Sequence, residues 1–314
     1  MKSISVFVKN LTSGGAEKQS VLLAKALADD YNVHYIIFNG EKVHLKYMDM
    51  LESDKRICIC SLKGGYLHRF KMLVHYLQKY HIKVMFSYLT AANVYACMVG
   101  KLIGVDVYTG LRNARLPKAK LLVDRMMANW FAIKAVANCF SGKEYFVSTG
   151  FKKRKIVVIP NCLEHIESYR EKGIAGRPHI ITVGRFVAQK DYQTAIRAVA
   201  EVKNSGIKMH FDIVGYGKLE NEVRGWVKQY GLEDVTTIYI NPENIAELLD
   251  KADVYLSTSL FEGTSNSIME AMNADLPVVC TNVGDNACLV SDGKNGYLTE
   301  VGDVNRLAEA MIHL

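Results

Sequence analysis

Short runs of β-branched and aromatic residues alternate with longer stretches of helical period along this chain, and the alternation runs twice. The first series occupies 3–8, 15–28, 33–38, 66–80, 84–88, 93–103 and 135–137. A strand-like run at 156–159 leads into a polar stretch between Asn161 and Pro178 that holds Glu164, Glu167, Glu171 and Lys172. The pattern then resumes at 180–183, 192–205, 210–214, 218–230, 237–240, 244–251, 254–257, 267–273, 278–280 and 303–312. Strands separated by crossover helices lie parallel, with the helices covering both faces, so this order predicts an α/β chain with two doubly wound parallel sheets. The expected domains are 1–164 and 165–314, with a ligand in the cleft between them. Ligands of open parallel sheets collect at the carboxyl ends of the strands, so the loops after those runs are where chemistry is sought.

Charge separates the two halves. Residues 1–164 hold 25 Lys and Arg against 11 Asp and Glu, whereas 165–314 hold 14 against 21. A basic half joined to an acidic one points to an anionic surface or a phosphate-bearing ligand on the basic side. Nucleic acid ranks lower, because no nucleic-acid-binding motif is present and the bases are spread over helical stretches. Two basic segments carry interleaved apolar residues. One runs from Lys63 to Lys83 with Tyr66, Phe70, Leu73, Tyr76, Leu77 and Tyr80, the other from Lys118 to Lys134 with Leu121, Leu122, Met126, Met127, Trp130 and Phe131. Each reads as an amphipathic helix at an anionic membrane or as a surface helix packed on its own sheet. The apolar region 84–108 is interrupted by Ser87, Thr90, Asn93, Lys101 and Asp106, so no membrane span is expected. The opening residues read directly into a strand and lack the pattern of a signal peptide, which suggests a cytoplasmic chain. Seven cysteines form no C-x-x-C pair and no spacing for zinc, so neither disulfides nor a metal site is expected.

Three loops carry the candidate chemistry. After the strand-like 254–257, the segment Glu262-Gly263-Thr264-Ser265-Asn266-Ser267-Ile268-Met269-Glu270 places two carboxylates across a glycine-bearing loop and the start of a helix. Free N–H groups there and the helix dipole would attract a diphosphate, while Glu262 and Glu270 could accept hydrogen bonds from sugar and ribose hydroxyls. The same letters also spell a capping box, Ser267-x-x-Glu270, in which Glu270 ties back onto its own helix. Gly184-Arg185 followed by Lys190 sets two cations on the loop leaving the strand-like 180–183, where they could neutralise a departing diphosphate; a solvated loop is the alternative. Gly14-Gly15 lets backbone approach a phosphate or sugar, or makes a plain strand-to-helix turn, and Gly215-x-Gly217 is a further glycine turn at the second sheet's edge.

Taken in order, Gly14-Gly15-Ala16-Glu17, Ile159-Pro160-Asn161, Val183-Gly184-Arg185 with Gln189-Lys190, Gly215-x-Gly217, Glu262-Gly263 through Glu270-Ala271-Met272 and Leu276-Pro277-Val278-Val279 resemble the retaining glycosyltransferases of family 4. The resemblance implies a GT-B fold of two Rossmann-like domains facing a cleft, with acceptor on the first and nucleotide-sugar donor, UDP- or GDP-linked, on the second. It implies that Arg185 and Lys190 hold the donor diphosphate, that Glu270 binds the ribose, and that Glu262 faces the transferred sugar. Gly14, Gly15, Gly184, Gly215, Gly263, Thr264, Ser265 and Asn266 complete the donor set, and Glu17, Arg112 and Asn113 fall on the acceptor side. No cofactor and no metal are implied, since the Lys/Arg pair does the work of a divalent cation.

The sequence departs from that family in places. No His occupies the first-domain segment that carries one in many members; Gly110-Leu111-Arg112-Asn113 is similar to an Arg-Asn form of that loop. Glycines usual in the family are replaced by Ile240, Cys162 and Asp275, and the family's closing helices, which cross back onto the first domain, are expected to be missing after Leu314. The expected activity is transfer of a sugar from a nucleotide-diphosphate sugar to a saccharide or polyprenyl-diphosphate-linked acceptor in cell-surface glycan assembly, peripheral on the inner membrane face. A sugar-nucleotide epimerase of the same fold and a non-catalytic sugar-nucleotide-binding protein are the alternatives.

Overall fold

The computed structural model describes residues 1–12, 14–41, 43–112, 116–163, 166 and 176–314. The chain divides into two compact units, Met1–Glu164 and His165–Leu314. Most of the polar stretch between Asn161 and Pro178, including Glu164, Glu167, Glu171 and Lys172, lies outside the described residues, as does Asn113.

The first unit holds β1 (Ser3–Val8), β2 (Asn32–Ile37), β3 (Ile57–Ser61), β4 (Val84–Tyr88), β5 (Asp106–Leu111), β6 (Lys134–Ala137) and β7 (Ile156–Val158) in the order β3-β2-β1-β4-β5-β6-β7. The pairings among them are parallel. From Ile4 to Val8 every residue of β1 is buried, the mark of a strand covered on both faces. Helices α1 (Gly15–Leu27) and α2 (Leu45–Glu52) cover one face, packing Val21, Ala24 and Leu51 against Val6, Val8, Tyr35 and Ile37. Helices α3 (Tyr66–Lys79) and α4 (Thr90–Ile103) cover the other, setting Leu73, Leu77, Ala96 and Val99 against Phe7, Ile36 and Phe38. Each buried Val, Leu, Ile or Phe among these contributes roughly 1.5–3 kcal/mol. Helices α5 (Lys118–Met126) and α6 (Phe140–Ser148) complete the unit.

The second unit holds β8 (His179–Arg185), β9 (His210–Tyr216), β10 (Thr236–Ile240), β11 (Val254–Ser257), β12 (Val278–Thr281) and β13 (Gly296–Thr299), again parallel, in the order β10-β9-β8-β11-β12-β13. Helices α7 (Tyr192–Asn204), α8 (Glu220–Gln229) and α12 (Val304–His313) pack on one face through Ile196, Val199, Val223 and Leu307. On the other lie α9 (Ile245–Lys251) and α10 (Asn266–Asn273), through Leu249, Ile268 and Ala271. A short helix, α11 (Asn286–Leu289), follows β12. Both orders reverse direction next to their first strand, the Rossmann arrangement, so each sheet has a switch point: between β1 and β4 in the first and between β8 and β11 in the second.

At the carboxyl edge of the first sheet, a buried polar network ties two helices to two strands. The Asp124 carboxylate accepts from Thr90 Oγ1 at 2.6 Å and from Asn93 Nδ2 at 3.0 Å. Asn93 also donates to the Gly110 carbonyl at 3.2 Å and accepts from Ser87 Oγ at 2.8 Å. Burial raises the Asp124 pKa above the ordinary carboxylate value, against the hydrogen bonds from Asn93 and Thr90. The folded state therefore holds this proton more tightly than the unfolded chain does. Its contribution is full below the unfolded pKa and is lost as pH rises through the folded one. Asp124→Asn should remove that dependence. In denaturant titrations from about pH 4 upward, the stability of the native chain relative to the variant should fall by at most about 1.4 kcal/mol per pH unit. A difference that stays constant with pH would reject the assignment.

Candidate functional site

At the switch point of the second sheet, β8 ends on Arg185, which is exposed. The chain turns through a short 3-10 segment, Ala188–Lys190, and reaches α7 over Asp191, a non-glycine residue at φ 45° whose side chain accepts from Thr194 N–H. A left-handed backbone there costs roughly 1–2 kcal/mol and is held by its surroundings. Thr258 Oγ1 donates to the Lys190 and Asp191 carbonyls at 3.0 and 2.8 Å, Gln189 Nε2 donates to the Phe261 carbonyl at 2.8 Å, and Leu260 N–H donates to the Gln189 carbonyl at 2.8 Å. The loops after β8 and β11 are thus stitched into one surface.

On it, Lys190 Nζ donates to Glu262 Oε1 at 2.6 Å, and Ser259 Oγ donates to the same oxygen at 2.8 Å. Both side chains of the ion pair are mostly buried, at 18% and 11% exposure, so their attraction is little screened. The ammonium keeps further donors for an anion, and Glu262 Oε2 keeps its capacity to accept. Two residues 72 positions apart in sequence meet because β8 and β11 are neighbours.

Helix α10 starts at the same edge. Its N-cap is Ser265, whose Oγ accepts from Ile268 N–H at 3.5 Å and lies 3.2 Å from Ser267 Oγ. The capping-box reading of Ser267 and Glu270 therefore fails: Ser267 is already inside the helix, and the cap two residues earlier places Glu270 in the second turn. Asn266 is the first helical residue, and Gly263 and Thr264 form the turn before it. Tyr255 OH donates to the Val183 carbonyl at 3.2 Å beneath this surface. Burial raises its pKa, a hydrogen bond with Ser267 lowers it, and the charges of Glu270 and Glu262 raise it further, so both carboxylates act on one hydroxyl. Gly184 and Gly215 are register partners at the ends of β8 and β9. Sequence reasoning missed Ser259 and Thr258; small hydroxyls directly after a buried strand are the signal that marks them.

The first unit carries the remaining candidates. Gly14 is the N-cap of α1, and Glu17 folds back over it, accepting from Thr12 Oγ1 at 2.8 Å. Arg112 follows β5, lies 4.6 Å over the Tyr88 ring and donates to Asn161 Oδ1 at 3.1 Å. Its Nε is buried without a partner. Gln19, absent from the sequence reading, clamps the segment after β7: its Nε2 donates to the Cys162 carbonyl at 2.8 Å, and Cys162 N–H donates to its Oε1 at 2.9 Å. Gln19, Tyr88, Gly110, Arg112, Pro160 and Cys162 contribute to the lining of a mainly apolar cavity of about 100 Å³.

The two basic segments diverge. Leu73 and Leu77 of α3 are buried in the core, and Tyr76 and Tyr80 pack on His34, so most of that apolar face is used internally. On α5 Asp124 is the buried residue while Leu122 and Met126 are exposed, and on the π-helical turn Met127–Phe131 that follows it Trp130 and Phe131 are exposed, Trp130 at 73%. Lys152 Nζ sits 4.1 Å over the Trp130 ring, and α4, which packs on α5, adds exposed Met98 and Leu102. No helix among the described residues is long and apolar enough to cross a membrane.

Residues 166–314 match the family model described as Glycosyl transferases group 1. Over 99% of this chain and 89% of its own length, an N-acetylgalactosamine-N,N'-diacetylbacillosaminyl-diphospho-undecaprenol 4-alpha-N-acetylgalactosaminyltransferase of Campylobacter jejuni is 25% identical. The putative colanic acid biosynthesis glycosyltransferase WcaL of Salmonella typhimurium is 33% identical over 45% of this chain, which spans 37% of that protein. Among solved structures, Anabaena Alr3699/HepE in complex with UDP-glucose superposes with a TM-score of 0.86 at 21% identity, covering 100% of this chain and 89% of that one.

Proposed function

We propose, from the premise that this chain is a glycosyltransferase of the GT-B fold with a group 1 domain over residues 166–314, that it moves a sugar with retention from a nucleoside diphosphate sugar to a saccharide or polyprenyl-diphosphate-linked acceptor in cell-surface glycan assembly. The carrying observation is the Lys190–Glu262 pair beside exposed Arg185 at the second sheet's switch point. As the bond from the sugar's anomeric carbon to the diphosphate breaks, negative charge grows on the leaving oxygen. Lys190 and Arg185 are placed to neutralise it, so no divalent cation is required there. Glu262 orients the ammonium and presents its second oxygen to a sugar hydroxyl, and Glu270 accepts from the ribose. Gly263 and the turn through Asn266 bring the first helical N–H groups of α10 to the donor phosphates, Gly184 and Gly215 let β8 and β9 approach closely, and in the first unit Gly14 and Gly15 open α1. Glu17 and Arg112 stand on the acceptor side, with the first unit as acceptor domain and the second as donor domain. Relatives whose names specify undecaprenol diphosphate acceptors support the lipid-linked class.

Calorimetry of the chain against UDP, GDP, ADP and their sugars tests this reading. One nucleotide diphosphate should bind, and Glu270→Ala should weaken it by at least about tenfold, the loss of one charge-assisted hydrogen bond. Silence across the panel would reject the donor site.

A lipid-linked acceptor requires approach to a membrane, and the exposed Leu122, Met126, Trp130 and Phe131 beside basic residues are the surface suited to an anionic bilayer from the cytoplasmic side. Vesicles rich in anionic lipid should pellet the chain at low salt and release it at high salt. Trp130→Ser combined with Phe131→Ser should reduce the pelleted fraction several-fold. Equal sedimentation of that variant would remove this surface from the reading.

A further inference from the structure

The amino edge of the second sheet carries a polar cluster that sugar transfer does not use. His179 opens β8, His210 opens β9, and the two are register partners with rings 5.0 Å apart. Asp212 lies two residues further along β9, so period-two alternation puts all three side chains on one face. This edge is six residues along β8 from Arg185, roughly 20 Å from the candidate donor site.

Asp212 is 1% exposed, yet its carboxylate meets two imidazoles. His179 Nε2 lies 2.8 Å from Oδ2, and His210 Nε2 lies 3.1 Å from Oδ1. One ring nitrogen of each histidine and one carboxylate oxygen of Asp212 all lie within 4.8 Å of one another. His179 Nδ1 is 3.2 Å from the Lys251 carbonyl, which only accepts, so Nδ1 carries a proton. In the neutral ring, Nε2 then presents a lone pair. That atom is buried and lacks an aligned hydrogen bond although the carboxylate oxygen is 2.8 Å away. Two acceptors at that distance repel unless a positive charge lies between them. Donor atoms held about 2.1 Å from one tetrahedral cation lie about 3.4 Å apart, so seating the ion needs each imidazole nitrogen to move only a few tenths of an ångström from the carboxylate. An imidazole whose other nitrogen is tied to a backbone carbonyl is also the usual second-sphere support of a metal ligand. Thr237 Oγ1, 3.1 Å from His210 Nε2, adds a hydroxyl on the neighbouring strand.

We propose that His179, His210 and Asp212 form a site for a divalent cation of the zinc class, with two imidazole nitrogens and one carboxylate as ligands and water in the open position. The cation joins β8 to β9 and replaces the proton that would otherwise separate Nε2 from the carboxylate. It stands apart from transfer, so it does not bear on whether the diphosphate needs a metal.

The test uses the whole chain, freed of metal by chelation and without nucleotide, titrated with cobalt(II) and zinc. Cobalt should give one visible d–d band per chain that zinc abolishes, and His210→Ala and His179→Gln should each weaken binding by at least tenfold. The half-exposed His210 makes its alanine variant the safer fold, and circular dichroism of both variants checks it. The absence of a band, or an affinity that neither variant changes, would overturn the site and leave a protonated His179 beside Asp212.

Discussion

Replacing Glu262 with alanine is expected to lower sugar transfer by about 10²–10³-fold while nucleotide diphosphate still binds, the scale seen when one preorganised electrostatic contact at a reacting centre is removed. Its Oε1 takes two hydrogen bonds, from Lys190 and from Ser259, within a pocket that leaves only 11% of the side chain exposed. Removing the carboxylate frees Lys190 to sit on phosphate, so donor affinity should hold or rise while turnover collapses. Glu262→Gln separates charge from shape: the amide oxygen can still accept from Lys190 and Ser259, so the fold is preserved and the residual activity reports the charge alone. Steady-state kinetics with a radiolabelled donor, alongside calorimetry of the nucleotide, reads both terms. Transfer that survives in the alanine variant would take Glu262 out of the reacting centre.

What the amino-acid sequence alone reveals depends on whether the information is local. The continuous apolar runs of β1, β8 and β11 are local, and so is the alternation that yields two parallel sheets; each was legible. Strand β3 (ICICS) escaped because it is a short edge strand, and β5 because its start was absorbed into the apolar region 84–108, although left-handed Gly104 ends the helix before it. The four residues of β13 begin on a glycine and carry almost no pattern. Helix α10 was placed correctly but capped two residues late, since Ser265 and Ser267 both fit the cap and the choice depends on where the loop from β11 arrives. Arg185, Lys190, Glu262 and Glu270 could be assigned to one sheet edge from order alone. Their pairing could not, because the contact between Lys190 and Glu262 requires β8 and β11 to be neighbours. The same holds for His179 and Asp212, which meet through the register of β8 on β9.

That register also sets the largest structural effect to be expected from a small substitution. Gly215→Ala should destabilise the second unit by about 3 kcal/mol or more, the range of overpacking in a site that cannot yield. A Cβ at Gly215 would stand 1.9 Å from the Gly184 carbonyl oxygen and 2.8 Å from the Phe186 ring. The carbonyl is fixed from the other side, since Tyr192 OH donates to it at 2.7 Å, and Tyr192 is itself buried against Phe186. Relief requires β8 and β9 to part at the residues that precede Arg185 and Lys190, so the cation loop moves with the strand. Thermal unfolding should show the loss as a lowered midpoint, and nucleotide binding should weaken in the fraction that stays folded. Gly225, on the exposed side of α8 with nothing near its absent Cβ, provides the contrast: alanine there should raise stability by about 0.5–1 kcal/mol through helix propensity. Similar behaviour of the two variants would mean that backbone crowding at the switch point does not govern this edge.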